Sequence, residues 1–245
     1  MGDNPREENE KTMPRIFAIV PAAGQGTRMG DALPKQYLPL AGRPMMFHAI
    51  EALAAVERID HVIVVLSSLD RHWGAHDWSA FPEKIEAMFA GGATRAGSVA
   101  NALAHLEGRA AAQDWVLVHD AARPCIAPRL VEQFLDEVGD DPVGGLLALP
   151  LADTLKRVEE EALRVAETIP RAGLWRAQTP QMFRYGLLRK ALARKLDATD
   201  ESQAVEALGQ MPRIVQGENA NLKVTFAEDL PIAEMILARK GGIPP

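Results

Sequence analysis

The 245-residue sequence holds one cysteine, Cys125, so no intramolecular disulfide, CxxC redox pair or cysteine-rich metal site can form. A single thiol suits a reducing compartment, and a cytoplasmic location is the expectation. No apolar run reaches the roughly 18–20 residues that cross a bilayer, which argues against a membrane helix. The N-terminus, MGDNPREENEKT, is acidic and polar where a secretory signal is basic and then apolar. Residues 1–13 read instead as a solvated, disordered leader. Positive charge is also short, with 27 Lys and Arg against 33 Asp and Glu for a net charge of −6. Neither a nucleic-acid partner nor an anionic membrane surface is expected, although a local group of cations can still hold a small anion.

A large core is within reach. With 47% hydrophobic and 24% charged residues the chain has the composition of a globular domain, and residues 14–245 suffice for one α/β unit. Apolar runs of strand length recur at 16–20 (IFAIV), 61–67 (HVIVVLS), 115–120 (WVLVHD), 144–150 (GGLLALP) and 213–217 (RIVQG). Near-continuous Val, Ile and Leu suits strands covered on both faces, and their spacing leaves room for helical crossovers. The expected fold is therefore a doubly wound, mostly parallel α/β sheet of Rossmann-like type. Helices are expected at 44–56, at 98–106 with Ser98 as its cap, at 128–138 and at 228–240. Residues 151–172 break the rhythm: alternating apolar residues flank an acidic turn, as in a hairpin that leaves the main sheet. A two-stranded ribbon is marginal alone in water, so a partner subunit is one candidate support.

The first apolar run ends in PAAGQGTRMG, residues 21–30. In Gly24-Gln25-Gly26-Thr27-Arg28-Met29-Gly30 the third glycine falls one residue late for the dinucleotide fingerprint GxGxxG, and no GK pair follows at P-loop spacing. An NAD-dependent oxidoreductase is disfavoured accordingly. What remains is a strand followed by a glycine-rich turn, whose N–H groups can line an anion site with Arg28 and Lys35 supplying charge. The glycines alone suit a plain β-to-α turn equally well. Further on, HDAARPC places Asp120 at the carboxyl edge of a strand. It can ligate Mg²⁺ there, since that ion takes one or two carboxylates plus phosphates and water, or it can cap a turn. Neither Cys125 nor His119 has an evident partner for nucleophilic or base chemistry, and Arg123 reads as a loop brace.

PAAGQGTRMG with PKQYLPLAGRPM, GGATRAGSV at 91–99, HDAARPC at 119–125 and NLKVT at 221–225 together resemble the 2-C-methyl-D-erythritol 4-phosphate cytidylyltransferase family. The match is ordered and spans about residues 15–240. It implies transfer of CMP from CTP to a sugar-alcohol phosphate, with release of pyrophosphate and Mg²⁺ as cofactor. By the same resemblance Arg28, Lys35 and Lys223 are catalytic, and Asp120 is the metal ligand. Pro21, Ala22, Ala23, Gly24, Gly26, Gly91, Gly92, Ser98 and Ala121 bind the nucleotide; Thr154, Arg171, Thr199 and Lys223 bind the acceptor. Residues 151–172 become a dimerisation arm that delivers Arg171 to the partner subunit's site. Without the resemblance Lys223 reads as a solvated strand residue and Ser98 as an ordinary helix cap. The rivals are a cytidylyltransferase for another polyol phosphate, such as ribitol 5-phosphate, and a non-catalytic nucleotide sensor.

Overall fold

The structure, a computed structural model, describes residues 13–24, 33–79, 81, 84–159 and 161–240. All of the expected leader except Met13 lies outside those residues, as do Gly26 and Arg28. Seven strands form the central sheet: β1 (Ile16–Pro21), β4 (His61–Val65), β5 (Ile85–Met88), β6 (Trp115–Val118), β7 (Gly144–Pro150), β10 (Trp175–Arg184) and β11 (Arg213–Gln216). Their spatial order is β11-β7-β10-β6-β1-β4-β5. Every pairing is parallel except those of β10, which runs antiparallel to both β6 and β7. Two short strands, β2 (Pro39–Leu40) and β3 (Arg43–Pro44), pair apart from the sheet.

Side chains on the central strands alternate between two buried layers. Ile16, Ala18 and Val20 of β1 face a core shared with Ile50 and Leu53 of α1 (Met45–Ala54) and with Leu130 and Phe134 of α3 (Pro128–Val138). Phe17 and Ile19 face the other layer, built by Val99 and Leu103 of α2 (Arg95–His105), Leu188 and Leu192 of α4 (Tyr185–Arg194) and Val205 of α5 (Glu201–Glu206). Burial on both faces is why these strands read as unbroken apolar runs. The last helix, α6 (Asp229–Lys240), packs Ala233 against a third cluster containing Leu40, Met45, Cys125 and Val224.

The second helix differs from expectation. It begins at Arg95, and its cap is Thr94, whose hydroxyl accepts from the Gly97 N–H at 3.0 Å. Ser98 lies inside the first turn, buried, and is not a cap. Within residues 151–172, β8 (Leu155–Glu159) and β9 (Arg164–Ile169) pair with each other and not with the seven-stranded sheet, and their side chains are mostly exposed. Because β1 lies between β4 and β6, chain connections diverge there, and the loops after β1 and β6 part to leave a crevice at the carboxyl ends of the strands.

Candidate active site

That crevice is a cleft of about 490 Å³. Pro21, Ala22, Ala23 and Gly24 form one wall; Gly92, Ser98, Asp120, Ala121 and Lys223 lie around it, and Lys35 enters from a 3₁₀ turn at Lys35–Tyr37. The turn is tied on both sides. Gln36 donates from Nε2 to the Ala22 carbonyl at 2.7 Å, and the Tyr37 hydroxyl donates to Asp70 at 2.9 Å.

The loop from Gly91 to Ser98 closes the far side. A Cβ at Gly91 would sit 2.2 Å from that of Ala23, so glycine lets this loop pack against the wall from behind, and Gly91 itself does not line the cleft. A Cβ at Gly92 would meet the Gly97 carbonyl carbon at 2.6 Å and the Ser98 nitrogen at 2.8 Å. Ser98 holds the same close approach in place: its hydroxyl accepts from the Gly92 N–H at 3.1 Å and donates to the Thr94 carbonyl at 3.1 Å.

Asp120 sits at the base. Its Oδ1 accepts from Arg95 Nε at 2.8 Å, its Oδ2 lies 2.8 Å from Lys223 Nζ, and Arg123 Nε stands 3.9 Å away. Burial opposes the carboxylate's charge, but Arg95 and Lys223 outweigh it and hold Asp120 well below the usual carboxylate range. The outer nitrogens of Arg95 form a fork to both oxygens of Glu201, at 2.7 and 3.0 Å. Burial lifts Glu201 above its ordinary range against the pull of that guanidinium.

Arg123 is a brace, donating to the carbonyls of Asn221 at 2.7 Å and Ala177 at 3.3 Å. His119 is fully buried and satisfied: Nε2 bonds the Arg123 carbonyl at 3.2 Å and Nδ1 the Thr179 hydroxyl at 3.1 Å. That hydroxyl also accepts from the Asp120 N–H at 3.0 Å. Desolvation pushes His119 down to about 4. It is neutral near pH 7 and faces away from solvent.

A second cavity, of about 150 Å³, lies across Asp120 and is lined by Gln178, Thr179, Gln181, Thr199 and Asp200. Arg95, Asp120 and Lys223 line both cavities, so the two adjoin at these side chains.

Residues 16–239 match the model of the IspD family, 2-C-methyl-D-erythritol 4-phosphate cytidylyltransferase. The chain belongs to this family. The cytidylyltransferase of Azoarcus sp. (strain BH72) is 55% identical over 230 residues, 94% of this chain and 97% of its own. That of Dechloromonas aromatica (strain RCB) is 55% identical over 229 residues, 93% of this chain and all of its own. Among solved structures, a 4-diphosphocytidyl-2C-methyl-D-erythritol synthase superposes with a TM-score of 0.82 at 38% identity, covering 91% of this chain and 99% of that one. The Francisella tularensis 2-C-methyl-D-erythritol 4-phosphate cytidylyltransferase gives 0.75 at 32% identity, with the same coverage.

Within this cytidylyltransferase fold the sequence-derived residues divide clearly. Pro21 to Gly24, Lys35, Gly92, Ser98, Asp120, Ala121 and Lys223 converge on the larger cavity, and Thr199 on the smaller. Thr154 and Arg171 line neither; Arg171 is bonded to the Ala152 carbonyl beside the hairpin. Sequence reasoning assigned no place in the site to Arg95 or Glu201. Arg95 carries a faint local signal, a cation in the first turn of a helix that follows a glycine loop. Glu201 has none, because its partner is 106 residues away and Thr-Asp-Glu reads as an ordinary helix start.

Proposed function

We infer that this chain transfers the cytidylyl group of CTP to 2-C-methyl-D-erythritol 4-phosphate, yielding 4-diphosphocytidyl-2-C-methyl-D-erythritol and pyrophosphate for non-mevalonate isoprenoid synthesis. The family match over residues 16–239 carries the reading, and two adjoining cavities that share Arg95, Asp120 and Lys223 suit a donor and an acceptor side by side. CTP takes the larger, its base and ribose against Gly92, Ser98 and the Pro21 to Gly24 wall. The acceptor phosphate takes the smaller, near Thr199 and Lys223.

An oxygen of the acceptor phosphate forms a bond to the α-phosphorus in line. The bond from that phosphorus to the bridging oxygen of the β-phosphate breaks, and pyrophosphate leaves with the electron pair. The nucleophile is already anionic, so no general base is required, in keeping with a His119 that is buried and satisfied. Lys35 and Arg28 meet the charge that grows on the α-phosphate oxygens, and Lys223 holds the attacking phosphate.

Among the described residues Asp120 is the one carboxylate lining the larger cavity, and with Oδ1 on Arg95 and Oδ2 on Lys223 it keeps only its remaining lone pairs for Mg²⁺. Among the described residues no cluster of three or more metal-ligating side chains exists, so Asp120 alone would hold the ion while substrate oxygens and water complete its shell. When bound it neutralises triphosphate charge as a Lewis acid.

The homodimer belongs to the same reading, with Thr154 and Arg171 reaching the partner subunit's acceptor cavity. Its support is the hairpin's exposed apolar surface, with Val158 43%, Leu163 82% and Val165 60% exposed. No helix among the described residues is long and apolar enough to cross a membrane, and a cytoplasmic location completes the proposal. A pyrophosphate-release assay crossing four nucleoside triphosphates with methylerythritol, ribitol and hexose phosphates tests it. Turnover confined to CTP with methylerythritol phosphate is expected; turnover only with another pair overturns it.

A further inference from the structure

Glu201 has nothing to offer the reacting atoms, since it is 1% exposed and the fork of Arg95 occupies both its oxygens. Stability alone does not account for such a pair, because apolar side chains of similar volume often serve as well or better. Its geometry, however, determines the site. Two parallel bonds fix the plane of a guanidinium. With the outer nitrogens of Arg95 committed to Glu201, its Nε is aimed at Asp120 Oδ1 at 2.8 Å. That contact turns Oδ2 towards Lys223 Nζ, also at 2.8 Å.

The same helix start sets the smaller cavity. Gln181 donates to Asp200 at 3.1 Å and accepts from the Ser202 N–H at 2.8 Å, placing the residues on either side of Glu201. A rigid chain thus runs from α5 through Arg95 and Asp120 to Lys223.

We propose that Glu201 and Arg95 are a positioning couple: Glu201 sets the direction of Arg95, which orients Asp120 and, through it, Lys223 for nucleotidyl transfer. The proposal rests on the roles given to Asp120 and Lys223 above. Glu201→Gln keeps the volume but leaves one acceptor for the fork. The guanidinium then turns to take Asp120 with two N–H groups and draws Oδ2 away from Lys223.

The test compares Glu201→Gln with the apolar pair Arg95→Met/Glu201→Leu, each assayed below its measured melting temperature. In both, kcat falls by about 10²-fold, the cost of a misplaced group, while KM for CTP stays within about threefold. The apolar pair melts below the wild type because Asp120 loses one of its two nearest cations, but a merely structural couple would still turn over normally below that melting temperature. Wild-type kcat in either variant, or a loss confined to KM, overturns the proposal. A wild-type protein that releases no pyrophosphate from CTP and the acceptor fails the functional reading instead.

Discussion

Asp120 keeps its charge in a buried position because Arg95 and Lys223 each stand 2.8 Å from it and Arg123 stands 3.9 Å away. Cations so placed act on a phosphate most strongly where water is scarce. In the roles proposed for them, Lys35→Ala and Arg28→Ala should fold normally and lose at least about 10²–10³ in turnover, as when one preorganised donor is removed. Single-turnover pyrophosphate release beside a circular-dichroism melt checks both halves of that statement. His119 makes a separate prediction. Desolvation lowers it from 6.5 to about 4, so the folded chain binds its proton later than the unfolded chain does. The stabilisation is complete above about pH 6.5 and is lost as pH falls towards 4. Unfolding in urea should show roughly 2 kcal/mol less stability from this group at pH 5 than at pH 7.5. His119→Gln should flatten that slope; an unchanged slope would place the acid sensitivity elsewhere.

The start of α2 carries the loop that lines the larger cavity, where the proposal puts CTP, and its backbone there is closely packed. Gly92→Ala puts a methyl 2.6 Å from the Gly97 backbone. That strain, about 1–3 kcal/mol, pushes the loop out and raises KM for CTP by about tenfold or more. Gly97→Ala meets the Thr94 hydroxyl at 3.2 Å and the Gly92 backbone no closer than 3.6 Å and should cost less, so equal effects would contradict a backbone origin. Thr94→Ala removes the cap and should destabilise the protein by about 1 kcal/mol in equilibrium unfolding. At this scale the sequence was only partly legible. The Gly-Gly turn was plain, yet Ser98 looked like the cap, because Ser and Thr share the chemistry and stand only four positions apart. The strand β10 was unreadable for a related reason: Trp175–Arg184 mixes polar and apolar residues, its first three exposed and the next six buried. No single period describes it.

Across the whole molecule, Thr154 and Arg171 stand away from the cavities that the rest of the acceptor set lines. If the hairpin serves a partner, a heterodimer of Arg171→Ala with Lys35→Ala regains one intact site in two. Mixing and reassociating the two inactive variants should restore pyrophosphate release to a substantial fraction of the wild-type rate. A purified heterodimer without activity would count against delivery in trans. Light scattering should find a dimer, and charges placed at Val158 and Val165 should shift it towards monomer, since both are exposed on the hairpin.

The sequence by itself determined what local pattern can encode. Strands buried on both faces leave apolar runs, glycines mark close backbone approach, and the late third glycine with Arg28 ruled against a dinucleotide loop. Asp120 at a strand end and the ordered motifs marked many of the residues that line the larger cavity. The tertiary structure alone decided what depends on distant residues meeting. It set one antiparallel strand among parallel ones, joined Arg95 to Glu201 across 106 positions, and divided the crevice into two cavities at Asp120. Those features arise from side chains whose neighbours in space are far apart in sequence, and a buried carboxylate such as Glu201 declares its partner only once the chain has folded around it.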